Sequence, residues 1–262
     1  MTVTIHDLRA WKTQGTRFVM LTAYDFPTAR ILDEAGIPLL LVGDSVANTT
    51  LGYGNTLPVT MEEMLHHTRA VARGTGNAMV VGDLPFLSYQ VSLEDGIRNA
   101  GRFLKEGGAH AVKVEGPQVE LTHRLVELGI PVMAHVGLTP QSVHGMGGYR
   151  VQGRGEDGAR LLDEAQALEK AGAFAVVLEG VPADLGAEIT GTLRIPTIGI
   201  GAGPGTDGQV LVIHDLLGLS ERLPRFAKAY ADLRSEIAAA ARAFADEVRS
   251  GTFPDEEHSY RD

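Results

Sequence analysis

Three carboxylates and a lysine, each set where a short apolar run ends, are the residues of this sequence best suited to chemistry. Pro38–Val42 ends in Gly43-Asp44-Ser45, Ala78–Val81 ends in Gly82-Asp83, and Ala109–Val114 carries Lys113 and ends in Glu115. Asp44, Asp83 and Glu115 thus offer hard oxygen donors from three separate segments, in a chain with no cysteine to supply a thiolate. Donors of this kind suit Mg²⁺, which favours octahedral geometry and keeps positions for water or substrate oxygens. The carboxylate and keto oxygens of a 2-oxo acid would fill two of those positions. The aspartates also have a plainer reading, as caps of the loops that follow them, and spacing alone leaves both open.

Three further residues belong with this group. Lys113 stands two positions before Glu115, so on a strand both side chains leave the same face. An ammonium pointing into the interior needs a carboxylate or a substrate oxyanion beside it, and a structural ion pair would satisfy it equally. Glu179 closes the wholly apolar Phe174–Leu178. Such surroundings raise the pKa of a carboxylate towards the range useful for a general base; a helix cap or loop contact is the other use for it. His135 closes Pro131–Ala134 and suits a base, a hydrogen-bond donor, a ligand or a satisfied core histidine.

For these groups to meet, the segments that carry them must converge. Eight strand-like runs are present: Phe18–Ala23, Leu39–Gly43, Ala78–Gly82, Ala109–Val114, Val132–His135, Phe174–Leu178, Thr197–Ile200 and Val210–Ile213. Most are continuously apolar, as strands buried on both faces are. Helical patterns lie between them. Thr60 with Glu63 has capping-box spacing, Ser92 opens an acidic first turn, and Glu156–Lys170 repeats its apolar residues at helical spacing. Phe226, Tyr230, Leu233, Ile237, Ala241, Phe244 and Val248 form one stripe of a long final helix. Thr4–Gly15 reads as a short helix closing the amino end. Strands alternating with helices imply a parallel sheet with right-handed crossovers. Eight such units favour a single (β/α)8 barrel over residues 1–262, with 250–262 a loosely ordered tail. In such barrels the catalytic mouth lies at the carboxyl ends of the strands.

Composition narrows the function. A chain of 262 residues with 44% hydrophobic and 21% charged side chains can bury one large core. A formal charge of −10 with no basic stripe argues against nucleic acid and anionic membranes as partners. The apolar runs fall far short of the about 20 residues that span a bilayer. The first residues lack a signal-peptide pattern, so the expected location is cytoplasmic. Two glycine-rich stretches follow the fifth and seventh strands. His144–Arg154 reads as a flexible lid, with Arg150 and Arg154 available to an anion or to solvent. Ile198–Gly205 reads as a tight turn that lets backbone approach a ligand, and it lacks the lysine of a P-loop.

Eight ordered segments carry a resemblance. Leu41-Val42-Gly43-Asp44-Ser45, Thr56-Leu57-Pro58-Val59-Thr60, Gly82-Asp83-Leu84-Pro85-Phe86, Val112-Lys113-Val114-Glu115-Gly116, Ala134–Gln141, Gly147–Arg154, Ile198–Gly203 and Thr206–Asp215 resemble the 3-methyl-2-oxobutanoate (ketopantoate) hydroxymethyltransferases. The likeness runs from about Asp7 to Ala245, with one departure at Gly54, where an acidic residue is expected. It implies a (β/α)8 TIM barrel of the phosphoenolpyruvate/pyruvate type, assembled as a homodecamer. The implied reaction moves a hydroxymethyl group from 5,10-methylenetetrahydrofolate to 3-methyl-2-oxobutanoate, giving 2-dehydropantoate for pantothenate and coenzyme A. By the matching motifs Asp44, Asp83 and Glu115 would hold one Mg²⁺ per subunit. Asp44, Ser45, Asp83, Lys113 and His135 would line the oxo-acid site, and Glu179 would accept the proton. Two other readings remain at this point: a C–C lyase or mutase of the same superfamily, and a noncatalytic barrel serving as a binding module. Relatives with lyase activity rely on a loop cysteine, which this chain lacks.

Overall fold

In the computed structural model, which describes residues 2–261, eight parallel strands close a barrel in chain order. They are β1 (Phe18–Thr22), β2 (Leu39–Val42), β3 (Met79–Asp83), β4 (Ala111–Glu115), β5 (Val132–Gly137), β6 (Ala175–Glu179), β7 (Thr197–Ile200) and β8 (Gly208–Leu211). β8 returns to pair with β1, setting Phe18 beside Gly208 and Met20 beside Val210. Met1 and Asp262, the end positions of the expected domain, lie outside the described residues.

The continuous apolar runs follow from double burial. One face of each strand fills the barrel, where Met20, Leu39, Met79, Met133 and Ile198 are fully or almost fully buried. The other face meets the helices: Ala134, Val136, Val176 and Leu178 pack with Leu161, Leu168, Leu185 and Ile189. Helix α1 (Ile5–Gln14) begins with a capping box between Thr4 and Asp7 and sends the fully buried Leu8 into the barrel's interior cluster. It is the predicted closure of the amino end. Helices α2 (Phe26–Glu34), α3 (Val46–Thr49), α4 (Met61–Gly74), α5 (Leu93–Arg102), α6 (Val119–Glu127), α7 (Asp157–Lys170) and α8 (Ala183–Thr192) follow in order. The Thr60–Glu63 capping box and the Ser92 cap are formed as their spacing predicts.

Every strand but β7 departs from its apolar run by one or two residues at one or both ends, and two of these shifts have a clear local cause. β5 runs on past His135 to Gly137, where a φ of 97° and a Cβ that would collide with the Glu179 carbonyl oxygen both demand glycine. β8 starts at Gly208, two residues before the apolar pattern suggests. The Asp207 carboxylate sets that start by accepting the Thr197 N–H at 2.8 Å and pairing with Lys12 at 2.8 Å. The Ile198–Gly205 glycines also serve packing: Cβ atoms at Gly203 and Gly205 would run into Ala183 and Ala187 of α8.

The chain divides into two compact units at Val212 and Ile213. The barrel strands and every candidate site residue fall in the first. The second contains α9 (Ile213–Leu216) and α10 (Leu233–Ser250). α10 starts later than the apolar stripe predicts, because Asp232 caps it by accepting the Ser235 N–H at 3.2 Å, leaving Phe226 and Tyr230 in the preceding loop. Beyond the helix, Phe253 meets Phe244 edge to face at 5.5 Å. Among the described residues no helix is long and apolar enough to cross a membrane.

Candidate active site

Strand register brings the charged residues together. Asp83 on β3 neighbours Lys113 on β4, Glu115 neighbours His135 on β5, and Gly137 neighbours Glu179 on β6. Successive inward positions along each strand therefore build a polar cap on the apolar barrel interior. The Lys113 ammonium lies 2.8 Å from Asp83 Oδ1 and 3.6 Å from Glu115 Oε1. Asp44, directly after β2, donates its backbone N–H to Asp83 Oδ2 at 3.1 Å. Ligand atoms of Asp44, Asp83 and Glu115 all lie within 4.8 Å of one another. Neither aspartate side chain caps its own loop: α3 follows Ser45 with no side-chain cap, and Ser45 Oγ instead shares a hydrogen bond of 2.9 Å with the Tyr24 hydroxyl. Glu179 does not cap α8 either, whose first turn follows Pro182.

His135 is 1% exposed, and both its ring nitrogens are engaged. Nε2 lies 2.8 Å from the Leu138 carbonyl, which can only accept, so Nε2 carries the hydrogen. Nδ1 is then the acceptor for Lys113 at 3.3 Å. Burial and the adjacent Lys113 charge hold the imidazole well below its ordinary pKa, so it is neutral and joins Lys113 to Glu179, whose Oε2 lies 3.4 Å from Nε2.

Charge does not balance here. Four acids, Asp44, Asp83, Glu115 and Glu179, face one ammonium. Burial, then the charges of Asp83 and Glu115, push Asp44 well above the usual carboxylate range. Burial lifts Glu115 to about 8 against the opposing pull of Lys113, and lifts Glu179 to about 8. For Lys113 itself burial works downward, and the three carboxylates outweigh it, so its pKa is raised. Buried negative charge in excess calls for a cation or for protons. The donor set fits a divalent ion: three hard carboxylates within reach of one another, with Asp83 Oδ1 buried and lacking a hydrogen bond despite its contact with Lys113.

A consequence can be measured. Because a cation must displace the protons of Asp44 and Glu115, its affinity should climb between about pH 6 and 8, and binding should release protons. Calorimetry in two buffers of different ionisation heat counts those protons. Binding that is pH-independent across this interval would contradict the linkage.

Glu179 differs from the triad in access. Its side chain is 16% exposed, against 1% and 2% for Asp83 and Glu115. Next to the cluster lies a cavity of about 280 Å³, bounded by Phe86, Tyr89, Glu115, Val136, Gln141 and Met146 among others.

A model of the family described as ketopantoate hydroxymethyltransferase matches residues 2–256. The chain belongs to that family. A protein of Syntrophus aciditrophicus (strain SB) named 3-methyl-2-oxobutanoate hydroxymethyltransferase is 56% identical over 262 residues, covering 98% of this chain and 96% of its own. One of Thermobifida fusca (strain YX) with the same name is 58% identical over 261 residues, covering 98% and 93%. Among solved structures, a phosphoenolpyruvate phosphomutase from Streptomyces platensis subsp. rosaceus superposes with a TM-score of 0.64 at 16% identity, covering 99% of this chain and 92% of that one. A 2,3-dimethylmalate lyase, described as a member of the PEP mutase/isocitrate lyase superfamily, gives 0.61 at 17% identity, covering 99% and 93%. The fold is thus the (β/α)8 TIM barrel that the resemblance implies, and it is shared with both of these solved structures.

All the residues singled out from the sequence, Asp44, Ser45, Asp83, Lys113, Glu115, His135 and Glu179, lie in or beside this cluster. Arg150 and Arg154 are exposed. Tyr149, in the same loop, carries a hydroxyl whose pKa is raised by partial burial and then by Asp44, Glu179 and Glu115. Sequence reasoning assigned no role to Tyr149, Tyr24, Tyr89 or Gln141. They are neutral, and only the Pro140-Gln141 motif and the glycine-flanked Tyr149 gave any local signal.

Proposed function

We propose that this protein transfers a hydroxymethyl group from 5,10-methylenetetrahydrofolate to 3-methyl-2-oxobutanoate, forming 2-dehydropantoate for pantothenate and coenzyme A. The observation that carries this reading is the buried excess of carboxylates at the barrel mouth, next to a separate, more accessible Glu179, in a chain of the ketopantoate hydroxymethyltransferase family.

Asp44, Asp83 and Glu115 would hold one Mg²⁺ per subunit. That ion would supply Lewis-acid polarisation of the keto oxygen. Ser45, Asp44, Asp83 and Lys113 bind the oxo acid, with Lys113 contributing positive charge beside its oxygens. Water releases the one-carbon unit from both folate nitrogens at the formaldehyde level, freeing tetrahydrofolate. Glu179 accepts the proton from C3, and the carbanionic C3 attacks that carbon. The resulting alkoxide takes a proton back from Glu179 to become the hydroxyl of the product. His135 reaches this site through Lys113, whose ammonium donates to its Nδ1, while its Nε2 lies beside Glu179 at 3.4 Å. Tyr24 holds the Ser45 hydroxyl. The 280 Å³ cavity takes five of its lining residues, Val136, Gly137, Thr139, Gln141 and Ser142, from the end of β5 and the turn that follows it, which supports placing the one-carbon donor on that side of the cluster.

The remaining assignments are the two small-molecule substrates as partners, assembly as a homodecamer, and a cytoplasmic setting that a chain without cysteine suits. Turnover decides the main reading. Purified protein should convert 3-methyl-2-oxobutanoate and methylenetetrahydrofolate only with Mg²⁺ or a similar divalent ion. Turnover unaffected by EDTA would sink the metal assignment, and no turnover with the metal present would sink the reaction.

A further inference from the structure

Gln141 stands where the carboxylates meet. It sits in a short 3₁₀ turn, Pro140–Ser142, after β5 and is 5% exposed. Its backbone N–H donates to Glu115 Oε2 at 3.1 Å. Its side-chain Nε2 donates to Asp44 Oδ2 at 3.0 Å and to the carbonyl of Leu84, the residue after Asp83, at 2.9 Å. Its Oε1 accepts from the Tyr89 hydroxyl at 2.7 Å and from Gln90 Nε2 at 3.1 Å. One residue thereby touches two carboxylates and the peptide adjoining the third.

The orientation of this amide is forced. The Leu84 carbonyl has no proton to give, so the nitrogen must face it, and Asp44 receives the second N–H of the same nitrogen. Tyr89 and Gln90 occupy the oxygen from the other side. All four hydrogen-bonding positions of the side chain are used, so it has one low-energy setting. Gln141 and Lys113 then grip different oxygens: Lys113 takes Asp83 Oδ1 and Glu115 Oε1, while Gln141 takes Asp44 Oδ2 and Glu115 Oε2. Asp83, whose Oδ2 accepts from the Asp44 N–H, and Glu115 are thereby held through both oxygens, and Asp44 through one. A second ammonium in place of Gln141 would hold them as well, but it would cancel charge that a divalent ion needs. A neutral amide orients the ligands and leaves their charge intact.

We infer that Gln141 is a positioning residue that sets Asp44 and Glu115 for a divalent cation, with Tyr89 fixing its amide. Hydrogen-bond partners that orient metal ligands are worth 10–100-fold in affinity. The inference rests on the reading of Asp44, Asp83 and Glu115 as metal ligands.

The experiment titrates Mg²⁺ by calorimetry, and Mn²⁺ by electron paramagnetic resonance, into EDTA-stripped parent, Gln141→Met and Tyr89→Phe. Gln141→Met keeps the length of the side chain and removes its side-chain hydrogen bonds to Asp44, Leu84, Tyr89 and Gln90, while the backbone N–H to Glu115 remains. The dissociation constant should rise about 10–100-fold in Gln141→Met and by a smaller factor in Tyr89→Phe. Denaturation of each protein in EDTA is recorded alongside. Should Gln141→Met fail to fold, Tyr89→Phe decides alone. Parental affinity in the folded variants, with or without a lower denaturation midpoint, overturns the inference and assigns Gln141 a structural role only. Absence of metal binding by the parent instead overturns the metal reading beneath it.

Discussion

Replacing Glu179 with Gln should leave 3-methyl-2-oxobutanoate binding within a few-fold of the parent and slow exchange of its C3 proton with deuterated water by about 10²–10⁴-fold, the usual contribution of a positioned general base. The substitution keeps shape and hydrogen bonding and removes basicity. Two features favour Glu179, the proposed base, over its neighbours. Asp44, Asp83 and Glu115 are 1–4% exposed as residues and face one another, whereas the Glu179 side chain is 16% exposed. His135, the other conceivable base, spends one nitrogen on the Leu138 carbonyl and the other on Lys113. Burial lifts the Glu179 carboxyl to about 8, so its conjugate base is strong enough to compete for a carbon-bound proton. The sign of the pH dependence follows. Exchange by the parent should rise with pH as Glu179 ionises, with a midpoint at or below about 8 because a bound cation favours the carboxylate; in Glu179→Gln the profile should be flat. Exchange at the parental rate in that variant, followed by proton NMR, removes Glu179 from the role.

The charged members of the site were legible because the sequence around them is so uniformly apolar. Asp83 interrupts nothing until the last position of β3, and Glu179 does the same on β6. In a strand buried on both faces, an end position is the one place where a carboxylate can stand, so its location and its function coincide. The Lys113–Glu115 spacing likewise forced a shared face, and the register shows both pointing inward beside Asp83 and His135. Gln141 was not legible in the same way. Its side-chain partners Tyr89 and Asp44 are 52 and 97 residues away, and no local pattern encodes a hydrogen bond of that reach. Tyr24 and Ser45 are the same case at shorter range. The limits of α10 escaped for another reason: an apolar stripe continues through Phe226 and Tyr230, but the chain begins its helix at the first good cap, Asp232. Periodicity reports which residues want burial, while caps decide where a helix starts.

The lysine offers a sharper test of the charge imbalance than any of the acids. Lys113→Met should destabilise the metal-free protein by about 3–5 kcal/mol at alkaline pH, the cost of leaving one side of a buried pair uncompensated. Among the described residues its ammonium is the one cation set against Asp83 at 2.8 Å and Glu115 at 3.6 Å, and all three side chains are 5% exposed or less. The loss should shrink on acidification. Glu115 and Glu179 have folded-state pKa values raised to about 8, and Asp44 is raised as well. In the window between the ordinary carboxylate range and about 8 the folded protein therefore binds more protons than the unfolded chain. Stability contributed by these groups is present at the acid end of that window and is lost as pH rises through it. Without Lys113 the acids hold their protons more tightly still, so the window widens and the variant loses more than the parent on going alkaline. Urea denaturation at about pH 5.5 and about pH 8.5 in EDTA gives the two values, and saturating Mg²⁺ at the higher pH should restore part of the difference, because it binds the folded state alone. An equal loss at both pH values, with no recovery on adding metal, would mean that Lys113 serves packing, and that the carboxylates around it are not short of positive charge.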